Sequence, residues 1–217
     1  MFSVTHFGGT PSMKHLFAAV AAATLAMSGV NAGTLVNGSL NGPIGPDRAP
    51  TGWATENTVD INSTAFQAFP LVVNPGDSPD GGTWAGLASN VGFRESITQT
   101  VSDFAVGSQY TIEWYATNTG EVSTNRDEKS PVFLELDGTN VFTSAPLPLD
   151  GNWYLQSYSF TAAKMVYDLT FGITAGPNAY LGIDGITLTQ NPIPVPAAAP
   201  LMLAGLAALG LRRRRTR

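Results

Sequence analysis

The sequence runs to 217 residues with 16 acidic and 11 basic side chains, no cysteine and two histidines. Both histidines, His6 and His15, fall within the first 32 residues, so the rest of the chain has no thiolate or imidazole for a metal. Disulfides, Ser-His-Asp hydrolysis and Cys-His proteolysis are excluded with them.

In chain order, the first readable unit is MKHLFAAVAAATLAMSGVNA, beginning at Met13. A basic start at Lys14, an apolar run from Leu16 to Met27 and a small-residue exit have the layout of a secretory signal peptide. Val30-Asn31-Ala32 has the spacing of a signal-peptidase site, which places the cut after Ala32. Met13 reads as the true start and residues 1–12 as an upstream extension, so residues 1–32 form one leader.

Residues 33–190 show no helical period of useful length. Short runs of Val, Ile, Thr, Phe, Tyr and Trp alternate instead with Gly, Pro, Asn and Asp, which points to an all-β fold. Strands are expected at TLVNG (from 34), TVDI (58), QAFPLVV (67), TWAGLAS (83) and ESITQTV (95). In QYTIEWYA, Tyr110, Ile112, Trp114 and Ala116 share one face. PVFLELDGTNVFTS reads as a hairpin turning at Asp137-Gly138. WYLQSYSFTA (153), YDLTFGI (167) and AYLGIDGITL (179) complete a set sufficient for two stacked antiparallel sheets. In the last of these, Leu181 and Ile183 are apolar on odd positions but Ile186 and Leu188 on even ones. An extra residue at Asp184-Gly185 reconciles them, as a β-bulge does, and redirects the Asp184 carboxylate.

This stretch resembles the galactose-binding-like jelly roll. The resemblance is carried by LVNGSLN…TGW, SITQTVSDFAVGSQYTIEWYA and W…YSFTA…LGIDGITL, across about residues 34–190. It implies a two-sheet antiparallel β-sandwich related to carbohydrate-binding modules and cell-surface domains. It also implies a structural calcium between the first and last strands, with Asp184 at the acidic position of the final strand. The sequence departs from the pattern at Leu40, where an aromatic is usual, and at Asn41, where an acid is usual.

Candidate site residues are few. Trp53, Trp114 and Trp153 fall at core positions, which leaves Trp84 and the outward Tyr115 as aromatics for sugar contact. Asp77 and Asp80 lie in VNPGDSPDGGTW, whose Asp-Gly and Pro-Asp pairs make turns as readily as they bind calcium. Ser123–Ser130 reads as a solvated hairpin tip. Glu113 and Glu135 occupy outward strand positions, and a glycosidase would need such a carboxylate pair at a set separation.

The chain ends IPVPAAAPLMLAGLAALGLRRRRTR. Fifteen residues from Ala197 to Leu211 are apolar, Gly or Pro, and as a helix would span roughly 22 Å, a short crossing for a bilayer core of about 30 Å. Arg212, Arg213, Arg214, Arg215 and Arg217 would stay cytoplasmic and leave the body of the chain on the far side. A proline motif (Ile193, Pro194, Val195, Pro196, Ala197, Ala198), an apolar stretch and an arginine cluster, in that order, resemble the PEP-CTERM class of sorting signals in its Val-Pro-x-Pro-Ala variant. Ile193 replaces the variant's valine, and the Glu of the main type is absent. The resemblance implies a Gram-negative envelope protein inserted by residues 191–217 and then processed by an exosortase-type membrane protease. An ordinary single-pass anchor is the alternative.

Removal of leader and tail leaves Arg48, Arg94, Arg126, Lys129 and Lys164 against all sixteen acids, a net charge of −11 that rules out a nucleic-acid surface. The sequence is therefore expected to encode an exported, non-catalytic β-sandwich that binds extracellular polysaccharide at the cell surface or in the matrix, needing no cofactor beyond a structural calcium. The alternatives are a self-associating matrix component without ligand and, less favoured by the residues, a carboxylate glycosidase.

Overall fold

The computed structural model of the protein describes residues 33–192. The cut at Ala32, the motif at 193–198 and the arginines at 212–217 lie outside the described residues. No helix among the described residues is long and apolar enough to cross a membrane.

Every regular element described is a strand: β1 (Ala54–Glu56), β2 (Asp60–Ser63), β3 (Thr83–Asn90), β4 (Phe93–Arg94), β5 (Ser96–Val101), β6 (Gln109–Asn118), β7 (Val132–Leu136), β8 (Thr139–Thr143), β9 (Tyr154–Thr161), β10 (Tyr167–Ile173) and β11 (Ala179–Gln190). They form two antiparallel sheets, β1-β5-β10-β7-β8 and β2-β3-β11-β6-β9, with β4 paired to β3. This is the expected all-β, two-sheet sandwich.

Alternation decides which residues meet between the sheets. Tyr110, Ile112, Trp114 and Ala116 of β6 all point into the core, as do Leu134 and Leu136 of β7 and Leu169, Phe171 and Ile173 of β10. Aromatic edges lock the two layers: Trp114 meets Phe171 from the opposite sheet at 5.2 Å between centroids, and Trp53 meets the same ring at 5.9 Å. The β7–β8 hairpin turns at Asp137 (φ 52°) and Gly138 (φ 73°), the two positive dihedrals that its strand twist requires.

The irregularity of β11 is present. Its pairing with β6 shifts between Asp184 and Thr187, so that Ile183 and Ile186 both reach the core. Gly185 takes φ 62°, and a Cβ there would stand 3.1 Å from atoms of both Asp80 and Tyr115.

Two expected strands are not strands. Residues 34–38 bend at Asn37 (φ 52°), whose amide donates to the carbonyls of Asn41 and Thr51, while the Val36 N–H donates to the Gln99 side chain. Residues 67–73 cross the outer face of the β2-β3-β11-β6-β9 sheet as irregular chain. Pro70 has no ladder donor, and the neighbouring backbone groups bond elsewhere: Ala68 N–H to Asn62 Oδ1 (2.7 Å) and Val73 N–H to the Thr119 carbonyl (2.9 Å). This crossing forms a second apolar layer in which Leu71, Phe93 and Trp153 pack on Trp84, Ala88 and Tyr180.

Gly86 makes room for that layer. A Cβ at this position would lie 2.0 Å from the Tyr180 hydroxyl and 2.6 Å from the Asn62 amide. Gly86→Ala is therefore expected to displace the Tyr180 ring and cost about 1–3 kcal/mol of stability, read as a lowered urea midpoint with unchanged slope.

Candidate functional site

The outer face of the β2-β3-β11-β6-β9 sheet carries Trp84, Glu113, Tyr115 and Asp184. Trp84 is 1% exposed and makes an edge contact with Trp153 at 6.0 Å, so it offers no free face to a sugar. Trp84 is thus no free aromatic, because Leu71, Phe93 and Trp153 pack on the cluster it forms with Ala88 and Tyr180. Tyr115 is half-buried, and its ring lies against Gly185. Glu113 and Glu135 stand on the outer faces of opposite sheets, and Glu135 is tied to Arg94 at 3.2 Å, so they cannot act on one bond.

Asp184 sits opposite Tyr115 on β11, on the outer face of the sheet. It is fully buried, and neither carboxylate oxygen has a hydrogen-bond partner. Burial pushes its pKa up to about 7, with neighbouring Asp80 adding to the rise and Ser78 and the Gly185 backbone opposing it. An orphaned buried carboxylate beside a second acid fits a hard cation. Asn41 Oδ1 reaches the same loop, 2.8 Å from where a Cβ on Gly82 would stand. No group of three acids, histidines or cysteines suited to a metal exists among the described residues. A calcium at Asp184 would therefore also draw on hydroxyl, amide and backbone oxygens, which that ion accepts.

Farther along the same face lies a site that the sequence reading missed. Val59 and Ile61 point to the core, and Asp60 between them, at the start of β2, points outward yet is buried. Asp60 Oδ1 accepts from the Asp47 N–H (3.0 Å) and Oδ2 from the Tyr180 hydroxyl (2.8 Å). Glu95, 1% exposed, accepts at Oε1 from Thr58 (2.8 Å) and at Oε2 from the Ala88 N–H (2.7 Å). Burial raises both carboxyls, Glu95 to about 7, against the pull of these donors. They line a pocket of about 330 Å³ with the half-buried ring of Phe69 and with Arg126.

Arg126 also lines a second depression of about 540 Å³ with Asn90, Val91, Glu128 and Asn178, so the two hollows adjoin at its side chain. Most of Ser123–Ser130 is exposed, as expected of a solvated tip, but Arg126 within it is half-buried and turned toward the sheet's cover. Arg126 Nη1 donates to buried Glu121 at 2.8 Å, while its Nε is buried without a partner. Although burial raises Glu121, the hydroxyls of Ser123 and Thr124 and the Arg126 charge outweigh it and hold the carboxyl low. An outward acid in a short strand and an arginine in a charged loop look ordinary in sequence. The one legible signal was the apolar content of the 67–73 run, which had to cover something.

No family model matches the chain and no curated protein sequence matches it. Among solved structures, a cyclase from Fischerella sp. TAU in complex with 4-(1H-indol-3-yl)butan-2-one aligns at TM-score 0.50 and 15% identity, over 68% of this chain and 88% of that one. The arabinose-bound α-L-arabinofuranosidase MgGH51 aligns at 0.51 and 12%, over 76% of this chain and 27% of the enzyme. TmCBM61 in complex with β-1,4-galactotriose aligns at 0.46 and 12%, over 65% and 90%. At these identities the first two likenesses establish a shared fold and no more.

The raised carboxyls set a pH dependence. Glu95 and Asp184 bind protons more tightly folded than unfolded, so their contribution to stability is complete below their ordinary pKa near 4.5 and 3.8 and is lost as pH rises through about 7. The melting temperature is expected to fall between about pH 4 and pH 7 and then level off, and Glu95→Gln to flatten that fall, at roughly 2–4 °C per kcal/mol. A calorimetric pH series on both proteins checks this.

Proposed function

We propose that the chain is an exported envelope or matrix protein whose sandwich binds glycan in the groove that meets at Arg126. The observation that carries this reading is the adjoining pair of hollows, which sets a half-buried aromatic ring, Phe69, beside carboxylates, a guanidinium and the amides of Asn90 and Asn178. Planar polar groups match vicinal sugar hydroxyls as donors and acceptors, and a ring face suits the C–H side of a pyranose. The domain acts in this reading by binding alone. In this reading Asp60 and Glu95, whose four carboxylate oxygens each accept a hydrogen bond from the protein, serve as fixed walls of the groove.

Two processing events frame this role: signal peptidase cuts after Ala32, and an exosortase-type protease acts on the tail at 193–198. Calcium belongs to the same proposal, held at Asp184 with oxygens of the Ser78–Asp80 loop and pinning that loop to β11.

Polysaccharide from the native envelope, titrated calorimetrically, should bind saturably. Arg126→Ala and Phe69→Ala are each expected to weaken binding at least tenfold, about 1.4 kcal/mol, while Tyr115→Ala, on β6 opposite Asp184 and outside the groove lining, should leave it unchanged. Loss of affinity only in Tyr115→Ala would move the site to the Asp184 end. For the metal, calcium at about 100 times its Kd should add roughly 2.7 kcal/mol of stability, lost with chelator and absent in Asp184→Asn. A melting temperature indifferent to both would refute the calcium assignment.

A further inference from the structure

The end of the sandwich opposite the groove carries an apolar tip. The β5–β6 and β9–β10 turns lie side by side there, joined by Phe104 N–H to the Met165 carbonyl (3.1 Å) and Gly107 N–H to the Ala162 carbonyl (2.7 Å). Two tyrosine hydroxyls hold the turns from beneath: Tyr110 accepts from the Ala105 N–H at 2.8 Å and Tyr167 from the Ala163 N–H at 2.7 Å. Phe104 is buried among Tyr110, Phe160 and Tyr167. From this rigid base Val106 (61% exposed), Met165 (61%) and Val166 (44%) project into solvent. Nothing in the fold needs them apolar.

The chain leaves the domain beside this tip. Gln190 pairs with Tyr110, and the Asn191 N–H donates to the Gln109 carbonyl at 2.8 Å. Only residues 192–196, Pro-Ile-Pro-Val-Pro, separate Asn191 from the apolar run that begins at Ala197. Asn191 and Ala197 are six residue steps apart, a separation of at most about 20 Å. Any bilayer entered by that run therefore lies within reach of the tip. Lys164, bound to Asp137 at 2.7 Å and set over the Tyr167 ring, adds one cation, but Asp103, Asp137 and Asp168 are near as well, so charge attraction is not the driver. Tethering is, because it raises the local concentration of membrane enough for a few apolar side chains to suffice.

We propose that Val106, Met165 and Val166 form a membrane-contacting tip that seats in the surface of the bilayer that the C-terminal apolar run enters. The sandwich then stands end-on. Strand β11 runs twelve residues from the tip to Ala179 beside the groove, roughly 36 Å at about 3.3 Å per residue, so the Arg126 groove faces away from the lipid. The proposal rests on the reading of residues 197–211 as a membrane-crossing segment.

The absence of cysteine makes the test direct. Full-length Met165→Cys and Val91→Cys, each labelled with an environment-sensitive fluorophore, would be reconstituted into phosphatidylcholine vesicles containing some phosphatidylglycerol. Val91, 88% exposed at the groove end, is the reference. The expected result is a blue-shifted Met165 label, quenched severalfold by nitroxide lipids, and a water-like Val91 label. If the chain floats with vesicles but both labels remain water-like, the tip proposal is wrong and the membrane-crossing reading survives. If the chain does not float with vesicles at all, that reading fails and the tip proposal falls with it. A blue shift at Met165 without lipid quenching would mean that the tip meets a second copy of the chain, and this also overturns the proposal.

Discussion

The constraint on which most of this molecule depends is the double burial of strand β11. From Ala179 to Ile186 every residue is buried, on the core face and on the outer face alike. One sheet packed on one other sheet can cover only one side of a strand. The outer side needs a second cover, and residues 64–82 supply it by crossing the sheet as irregular chain. Trp84 and Tyr180 are the apolar reason for that crossing, and Gly86 is the opening that lets the Tyr180 hydroxyl reach Asp60 and Asn62.

Covering a strand face that carries acids has a chemical consequence. Asp60 and Asp184 stand on outward strand positions, where a bare sheet would leave them solvated, and Glu95 sits at the β4–β5 junction beside them. Under the crossing they become buried groups with raised pKa values. The fold handles them in two ways. Asp60 and Glu95 receive a donor on each oxygen, which makes them fixed walls of a pocket. Asp184 receives none, which makes it the place where a cation would be held. The difference comes from local geometry. The first two acids face backbone N–H groups and hydroxyls, while the third stands at a bulge where the ladder to β6 is broken.

The two ends of the sandwich are correspondingly unlike. The end near Ala179 gathers loops around Arg126 into a polar groove rimmed by Val91, whereas the end near Gln190 closes over Phe104 in tight turns with apolar side chains outward. The polarity follows from the chain's exit. β11 begins under the covered half and ends in the uncovered half, so the residue that leads into the apolar tail emerges beside the tip.

By itself the sequence determined the all-β class, the inward face of β6, the hairpin at Asp137-Gly138 and the bulge in β11. Each of these is a local matter, a period of two, a pair of turn residues or one extra residue, and local patterns survive in the linear string. The composition of the two ends, an apolar run from Leu16 to Met27 and an apolar, arginine-terminated tail, is likewise written in the linear string. Tertiary structure decided everything that depends on what covers an outward residue. Trp84 went from free aromatic to buried layer, the 67–73 run from strand to lid, and Arg126 from solvated loop to the junction of two hollows. Asp60 and Glu95, 35 positions apart, became neighbours in one pocket. The period of a strand says which way a side chain points, but the partner that meets it there comes from a distant part of the chain, and only the folded arrangement supplies it.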